Sequence, residues 1–304
     1  MITECGEQIA VVANQIIRAR HRLDPLEQKV IAFGIGQIAR DDTDFMRHTI
    51  SIADFAELTG STSGRIYSQM SDVTKRLMQS IIEIRENEGD RIRKTFQWLT
   101  ECDYNDKQGS ITFKFHERLK PYLLELKSRF TQIRLEQFYQ FRSGYTIRFY
   151  ERIEMMRGQN QMTFQLPLTE LRDWLGITPE AYTKFGLFRA YVLDIAQREL
   201  DLKSDWSFSY AQMKTGRKVT GIEFTLRPAR SPKTDPIRDR WKRANTALKA
   251  RVMAAARELS RWDGTTDEAI LRDDEFYKNL GMLFDRVDQG QTALNLGEPT
   301  PTFV

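Results

Sequence analysis

The chain has 304 residues, 40% of them hydrophobic and 29% charged, with 18 Phe and 5 Trp, a composition that supports more than one core and excludes intrinsic disorder. The formal net charge of +4 permits a polyanionic partner without demanding one, but its distribution is uneven: −2 over residues 1–126, +6 over 127–230 and zero over 231–304. Two cysteines in unrelated contexts, Cys5 and Cys102, exclude a disulfide framework or a Cys-rich metal site, and the acidic opening and the absence of an apolar run near ~18 residues predict a soluble, unexported, cytoplasmic protein.

In chain order, the first strong helix signal is Asp24-Pro25-Leu26-Glu27, which supplies an N-cap, a proline at the first helical position and a capping-box acid before Val30, Ile31, Phe33, Ile35 and Ile38. Next, Ile50–Gly60 predicts a short helix with Ile52, Phe55 and Leu58 on one side and a terminating glycine. A longer amphipathic helix follows, marked by Ile66, Val73, Leu77 and Ile81. The period then changes: residues 95–100 and 110–115 read as strands around the polar Asn105–Gly109, a hairpin.

The same plan then repeats. A helix from Tyr145 to Met156 precedes Leu166–Gly176, which aligns with Ile50–Gly60 without a gap and sets Leu168, Leu171 and Trp174 against Ile52, Phe55 and Leu58. Thr178-Pro179-Glu180 reads as the start of a longer helix carrying Tyr182, Phe188, Val192 and Ala196. The strands 206–210 and 222–226 flank Lys214–Lys218 as a second hairpin. Short helix, turn, longer helix and hairpin describe a helix-turn-helix with a wing. Beyond Pro228, Pro232 and Pro236, the residues Trp241, Ala244, Leu248, Val252, Ala255 and Leu259 mark one helical face; a second helical piece is expected over Asp267–Val287, then a disordered tail.

These elements predict an α+β, mainly α fold. It has two tandem winged-helix domains, 1–126 and 127–230, and a helical C-terminal extension over 231–304.

Several segments resemble the theta-type, iteron-binding plasmid replication initiators. Residues 14–29, Asn-Gln-Ile-Ile-Arg-Ala-Arg-His-Arg-Leu-Asp-Pro-Leu-Glu-Gln-Lys, resemble their opening helix, and Tyr145–Ile153 resembles the segment that opens their second domain. Tyr182–Phe185, Val192–Leu200 and Lys214–Val219 resemble their second recognition helix and wing. The resemblance spans about residues 10 to 228 and rests on the order of these segments. It implies that the second domain makes the main contact with origin direct repeats. The first would add auxiliary contacts and the dimer interface of a monomer–homodimer equilibrium, and host replication proteins such as a helicase or initiator would be further partners.

Bases are read by side chains on the exposed side of a recognition helix, while cations at its margins and on the wing hold phosphates. The second domain offers Thr183, Lys184 and Arg189, with Lys214, Arg217 and Lys218 on the wing; Arg198 suits the helix C-terminus instead. The first offers Arg65, Ser68, Gln69, Lys75 and Arg76, then Arg91, Arg93 and Lys94, diluted by Glu83, Glu86, Glu88 and Asp90. Tyr139, Phe141, Tyr145 and Phe149 are expected in the core rather than on bases.

No catalytic pattern emerges. His21, His48 and His116 form no His-x-His pair of a nickase, and Gly60–Arg65 lacks phosphate-loop spacing. The acids Asp41, Asp42 and Asp44, and Asp273, Asp274 and Glu275, lack further ligands at a matching spacing. The expected protein is therefore non-enzymatic and cofactor-free, and the resemblance implies that it binds double-stranded DNA and opens its origin. A winged-helix transcriptional regulator and a nicking relaxase are the rival readings.

Overall fold

The computed structural model describes residues 8–60, 63–86, 92–124, 126, 129–230 and 246–258, and then 266, 267, 270, 276, 279, 283 and 287. The chain divides into a unit over residues 1–230 and another over 231–304.

In the first unit, β1 (Ile9–Ala13) leads through α1 (Asn14–Arg18) and β2 (Arg20–His21) to α2 (Pro25–Gly36). The resemblance to one opening helix over 14–29 thus resolves into a short helix, a strand and the start of a second helix. Asp24 closes the capping box: its carboxylate accepts from the N–H groups of Leu26 and Glu27 at 2.9 and 2.8 Å, and Glu27 accepts from the Asp24 N–H at 2.9 Å.

The first winged helix follows as β3 (His48–Ser51), α3 (Ile52–Leu58), α4 (Ser63–Gln79), β4 (Ile81–Ile84), β5 (Lys94–Gln97), β6 (Leu99–Asn105) and β7 (Ser110–Phe115). Two expectations fail here. Ile81 is not on a helix but opens β4, where it is 46% exposed. Residues 95–100 are not one strand. β5 joins the sheet β2-β4-β5, β6 joins the antiparallel wing sheet β3-β7-β6, and the buried Trp98 lies between them.

After α5 (Lys120–Leu123), the strand β8 (Phe130–Arg134) returns to pair antiparallel with β1, from Ile9↔Arg134 to Ala13↔Phe130. α6 (Leu135–Gln140) leads to α7 (Gly144–Gly158), capped by Ser143. The second winged helix is β9 (Thr163–Pro167), α8 (Leu168–Trp174), α9 (Phe185–Phe188), a π-turn over Arg189–Leu193, α10 (Asp194–Lys203), β10 (Trp206–Thr215) and β11 (Lys218–Pro228). Its antiparallel sheet, β10-β11-β9, has the same plan as β6-β7-β3.

The repeat seen in the sequence therefore extends to a strand on either side of the helices. Both short helices end on glycines in the left-handed region, Gly60 at φ 62° and Gly176 at φ 66°, where L side chains are disfavoured. In each short helix two of the three stripe positions are buried: Ile52 and Phe55 are fully buried but Leu58 is 38% exposed, and Leu171 and Trp174 are buried while Leu168 is half-buried.

One hydrophobic core runs through both winged helices. Phe149 on α7 lies 5.4 Å from Trp174, 4.9 Å from Phe208 and 5.5 Å from Phe224 between ring centroids. Tyr139, Phe141 and Phe149 are buried, and Tyr145 is half-buried. The two halves are joined by polar contacts as well. Trp174 Nε1 donates to the Ile17 carbonyl at 2.8 Å, and the buried Arg148 donates to the Ile17 and Ala19 carbonyls at 3.0 and 2.7 Å while pairing with Glu151 at 3.0 Å. At the margin, Arg20 and Arg93 each bridge Glu83 and Asp173, over 2.8–3.3 Å.

In the second unit, α11 (Thr246–Arg257) contributes Val252, Met253, Ala255 and Ala256 to a separate core with Ile270, Phe276, Leu283 and Val287. Leu248 is partly buried against it. Trp241, Ala244, Leu259, the acids at 273–275 and the tail expected to be disordered lie outside the described residues. Among the described residues no helix is long and apolar enough to cross a membrane.

Candidate nucleic-acid interface

The second reading helix is built differently from its sequence signal. Thr178-Pro179-Glu180 does not start it, because residues 178–184 form a turn held by Arg172 of α8. The Arg172 guanidinium donates to the carbonyls of Thr178 (3.0 Å), Ala181 (2.5 Å) and Tyr182 (3.1 Å). Tyr182 itself takes a left-handed backbone, φ 48°, so it belongs to the turn and not to the helix's apolar stripe.

The helix starts at Phe185, with Lys184 at its N-cap, and Phe188, Val192 and Ala196 face the core. Within it the Asp194 N–H donates to the Arg189 carbonyl, the five-residue closure of a π-turn. Such a turn widens the helix locally and changes which side chains face outward.

Thr183, Lys184 and Arg189 are all exposed. Arg189 lies 3.7 Å from Asp194, whose other oxygen accepts from the Tyr210 hydroxyl at 2.6 Å. The wing is longer than the sequence suggests: the strands run to Thr215 and from Lys218, leaving a two-residue tip of Gly216 and Arg217, with Gly216 at φ 62°. Lys214, Arg217 and Lys218 are exposed there, and none forms an ion pair with another described residue. The wing and the turn approach each other across a cleft of about 600 Å³ lined by Tyr182, Thr183, Phe185, Arg217 and Lys218.

In the first winged helix, α4 presents Ser68, Gln69 and Lys75 on its exposed side. Lys75 is 3.6 Å from Asp72. Arg76 is committed elsewhere: it bonds Glu27 at 2.5 Å and Asp24 at 2.7 Å, tying α4 to the capped end of α2. Arg93 is bound into the bridge to Asp173, and Lys94 pairs with Glu86. Arg65 lies on the backbone of α4, and Arg91 falls outside the described residues, as do Glu88 and Asp90.

Sequence reasoning missed a second cleft, lined by Lys29, Glu57, Gln69, Arg142 and Lys203, beside the start of α4, where Lys203 pairs with Glu199 at 2.7 Å. Burial, and then the neighbouring Lys203 charge, push the Lys29 ammonium down to about 8. Its signal was invisible because these cations are far apart in the chain. Among the described residues no group of His, Cys, Asp or Glu gathers at metal-binding distance. Asp42 caps the Ala39 N–H and Asp44 pairs with Lys120.

Residues 9–154 match the family model described as Initiator Replication protein, WH1, and residues 167–226 match that described as Initiator Rep protein, WH2. Among solved structures, the Pi initiator protein in complex with iteron DNA shares 20% identity and a TM-score of 0.59, over 72% of this chain and 97% of that one, which indicates a shared fold. Domains 2 and 3 of RctB align less closely, at TM-score 0.42 and 15% identity over 68% of this chain and 82% of that one. The WH1 domain of a replication protein isolated from a multiple sclerosis patient aligns at TM-score 0.28 and 20% identity, over 40% and 88%. With both winged helices matched in chain order across more than half of its length, the protein belongs to the family of initiator replication proteins.

Proposed function

We propose that the protein initiates plasmid replication by binding direct repeats, the iterons, of its origin as double-stranded DNA. Membership of the initiator family supports this reading, as does the complex of the similarly folded Pi initiator protein with iteron DNA. The observation that carries it for this chain is the second wing and reading helix. There Lys184, Lys214, Arg217 and Lys218 stand exposed without an acidic partner among the described residues. Such cations suit phosphates, and their contacts make binding fall steeply with salt.

The second winged helix then makes the main contact. The first adds auxiliary contacts through Ser68, Gln69 and Lys75, since Arg76, Arg93 and Lys94 are engaged within the protein. In the same proposal the first domain also forms the homodimer interface, the bound protein promotes origin opening and recruits host replication proteins, and it catalyses no hydrolysis or strand cleavage.

The test is a footprint on the DNA flanking its own gene, with monomeric and dimeric fractions run separately. Protection of phased direct repeats by the monomer is expected. Protection of an isolated palindrome alone would favour a transcriptional regulator, nicking of supercoiled DNA would favour a relaxase, and no protection would overturn the initiator reading.

A further inference from the structure

The second reading helix exposes an apolar strip. Leu187 is 44% and Tyr191 55% exposed, and Ala190 is exposed with them. Leu187 lies in α9 and Ala190 and Tyr191 lie in the π-turn that follows, all three exposed to solvent. The opposite side is already satisfied, because Phe188 and Val192 are 1% and 0% exposed. The strip is therefore not misplaced core.

It is also held in place. The Tyr191 ring stacks on Tyr182 with centroids 6.0 Å apart and 22° between planes, and Tyr182 meets Tyr145 edge-on at 6.4 Å. Tyr182 is fixed in its left-handed conformation by Arg172, which clamps three carbonyls of the turn. Preorganisation of this kind reduces the entropy lost on binding.

Cations frame the strip. Lys184 precedes it, Arg189 interrupts it, and Arg217 and Lys218 share the cleft beside Tyr182. An occupant must combine negative walls with small apolar points between them. The DNA major groove does so: phosphates line its edges and the only methyl group on its floor is the C5-methyl of thymine.

We propose that Leu187, Ala190 and Tyr191 read thymine through its 5-methyl group, with Arg172 and Tyr182 as positioning residues. The proposal rests on the DNA-binding reading above and assigns the base chemistry of that same surface. Discrimination by the strip is carried by burial of methyl groups and not by hydrogen bonds, so it distinguishes thymine from uracil.

The full chain is first used to enrich a duplex from a randomised DNA library. Binding to the enriched duplex is then compared with copies in which single thymines are replaced by deoxyuridine. At one or two positions the change is expected to weaken binding about fourfold per methyl group. Leu187→Ala and Tyr191→Ser should erase the difference between thymine and deoxyuridine, and Tyr191→Phe should keep it. Tyr182→Ala should lower that ratio without altering the salt dependence, and Tyr182→Phe should restore it.

Leu187 and Tyr191 are exposed and Tyr182 is half-buried, and melting by circular dichroism checks that the variants fold. Enrichment of a specific duplex with no deoxyuridine penalty, or with a penalty that survives both variants, overturns the methyl reading while leaving DNA binding intact. Unchanged duplex binding in the variants would assign the strip to a protein partner and has the same effect. Failure to enrich any sequence overturns the DNA-binding reading, and this inference with it.

Discussion

Arg148 is a cation spent on structure. It is 3% exposed, satisfies the Ile17 and Ala19 carbonyls and neutralises Glu151, whose carboxyl burial pushes up and Arg148 holds down. Arg148→Ala strands the Ala19 carbonyl and the Glu151 carboxylate, while the Ile17 carbonyl keeps its bond from Trp174, and a loss of about 3–5 kcal/mol in chemical denaturation is expected. His21 lies beside it, buried. Burial, reinforced by the Arg148 charge, lowers its pKa well below 6.5. The unfolded chain takes up a proton as pH falls through about 6.5 and the folded chain does not. Stability is thus complete above that pH and declines below it, by up to about 1.4 kcal/mol per pH unit, until the lower folded pKa is reached. His48, also held down by burial, acts in the same direction. Denaturation midpoints between pH 7 and pH 5 should therefore fall less in His21→Gln than in the parent, and equal slopes would refute the assignment. At this scale the sequence was least legible. The excess of +6 over residues 127–230 includes Arg148 and Arg152, both buried, Arg172, which clamps a turn, and Arg227, paired with Asp201. A count of charges cannot tell a phosphate ligand from an internal strut, because the partners come from distant segments.

The paired glycines test the repeat at the scale of elements. Both close a short helix in the left-handed region, so Gly→Ala costs about 1–2 kcal/mol from the backbone alone at either position. A Cβ at Gly60 would meet nothing within 4 Å, whereas at Gly176 it would sit 2.5 Å from the His21 carbonyl oxygen. Gly176→Ala should accordingly lower the thermal midpoint several degrees further than Gly60→Ala, and equal shifts would argue against the close approach. Helix caps, glycine stops and the strands of the second wing were readable because each is written in a few adjacent residues. The α2 capping box and the two short helices are examples. The start of α9 was not. Thr178-Pro179-Glu180 has the local chemistry of a helix start, but a guanidinium from α8 captures the carbonyls of the turn and delays the helix to Phe185. The π-turn that follows has no recognisable residue pattern. Strand β8 shows the same limit in another form: its partner β1 lies more than a hundred residues away, across the boundary expected at residue 126.

For the molecule as a whole, the Trp174 bond to Ile17, the ion pairs of Arg20 and Arg93 with Asp173 and the continuous core mean that the two winged helices of residues 1–230 share their stability. Calorimetry of residues 1–230 should show one transition with equal calorimetric and van't Hoff enthalpies. Two resolved transitions would instead show that the halves fold independently. Cutting after residue 126 would remove β8 from β1, so the halves are poor units for separate assays. The duplication was legible from eleven aligned residues, but the fusion of the copies was not, since it depends on contacts between segments with no shared pattern. The same fusion turns the protein into a caliper. With α4 and the α9–α10 helix anchored in one core, the separation and rotational phase of the two proposed reading helices are set before any DNA arrives. One base pair inserted between the two halves of a bound site turns one half about 35° relative to the other. A hinged tandem would absorb that turn. This one should lose affinity for an insertion as sharply as for a wrong base, which makes the spacing of its target as much a part of the code as the letters.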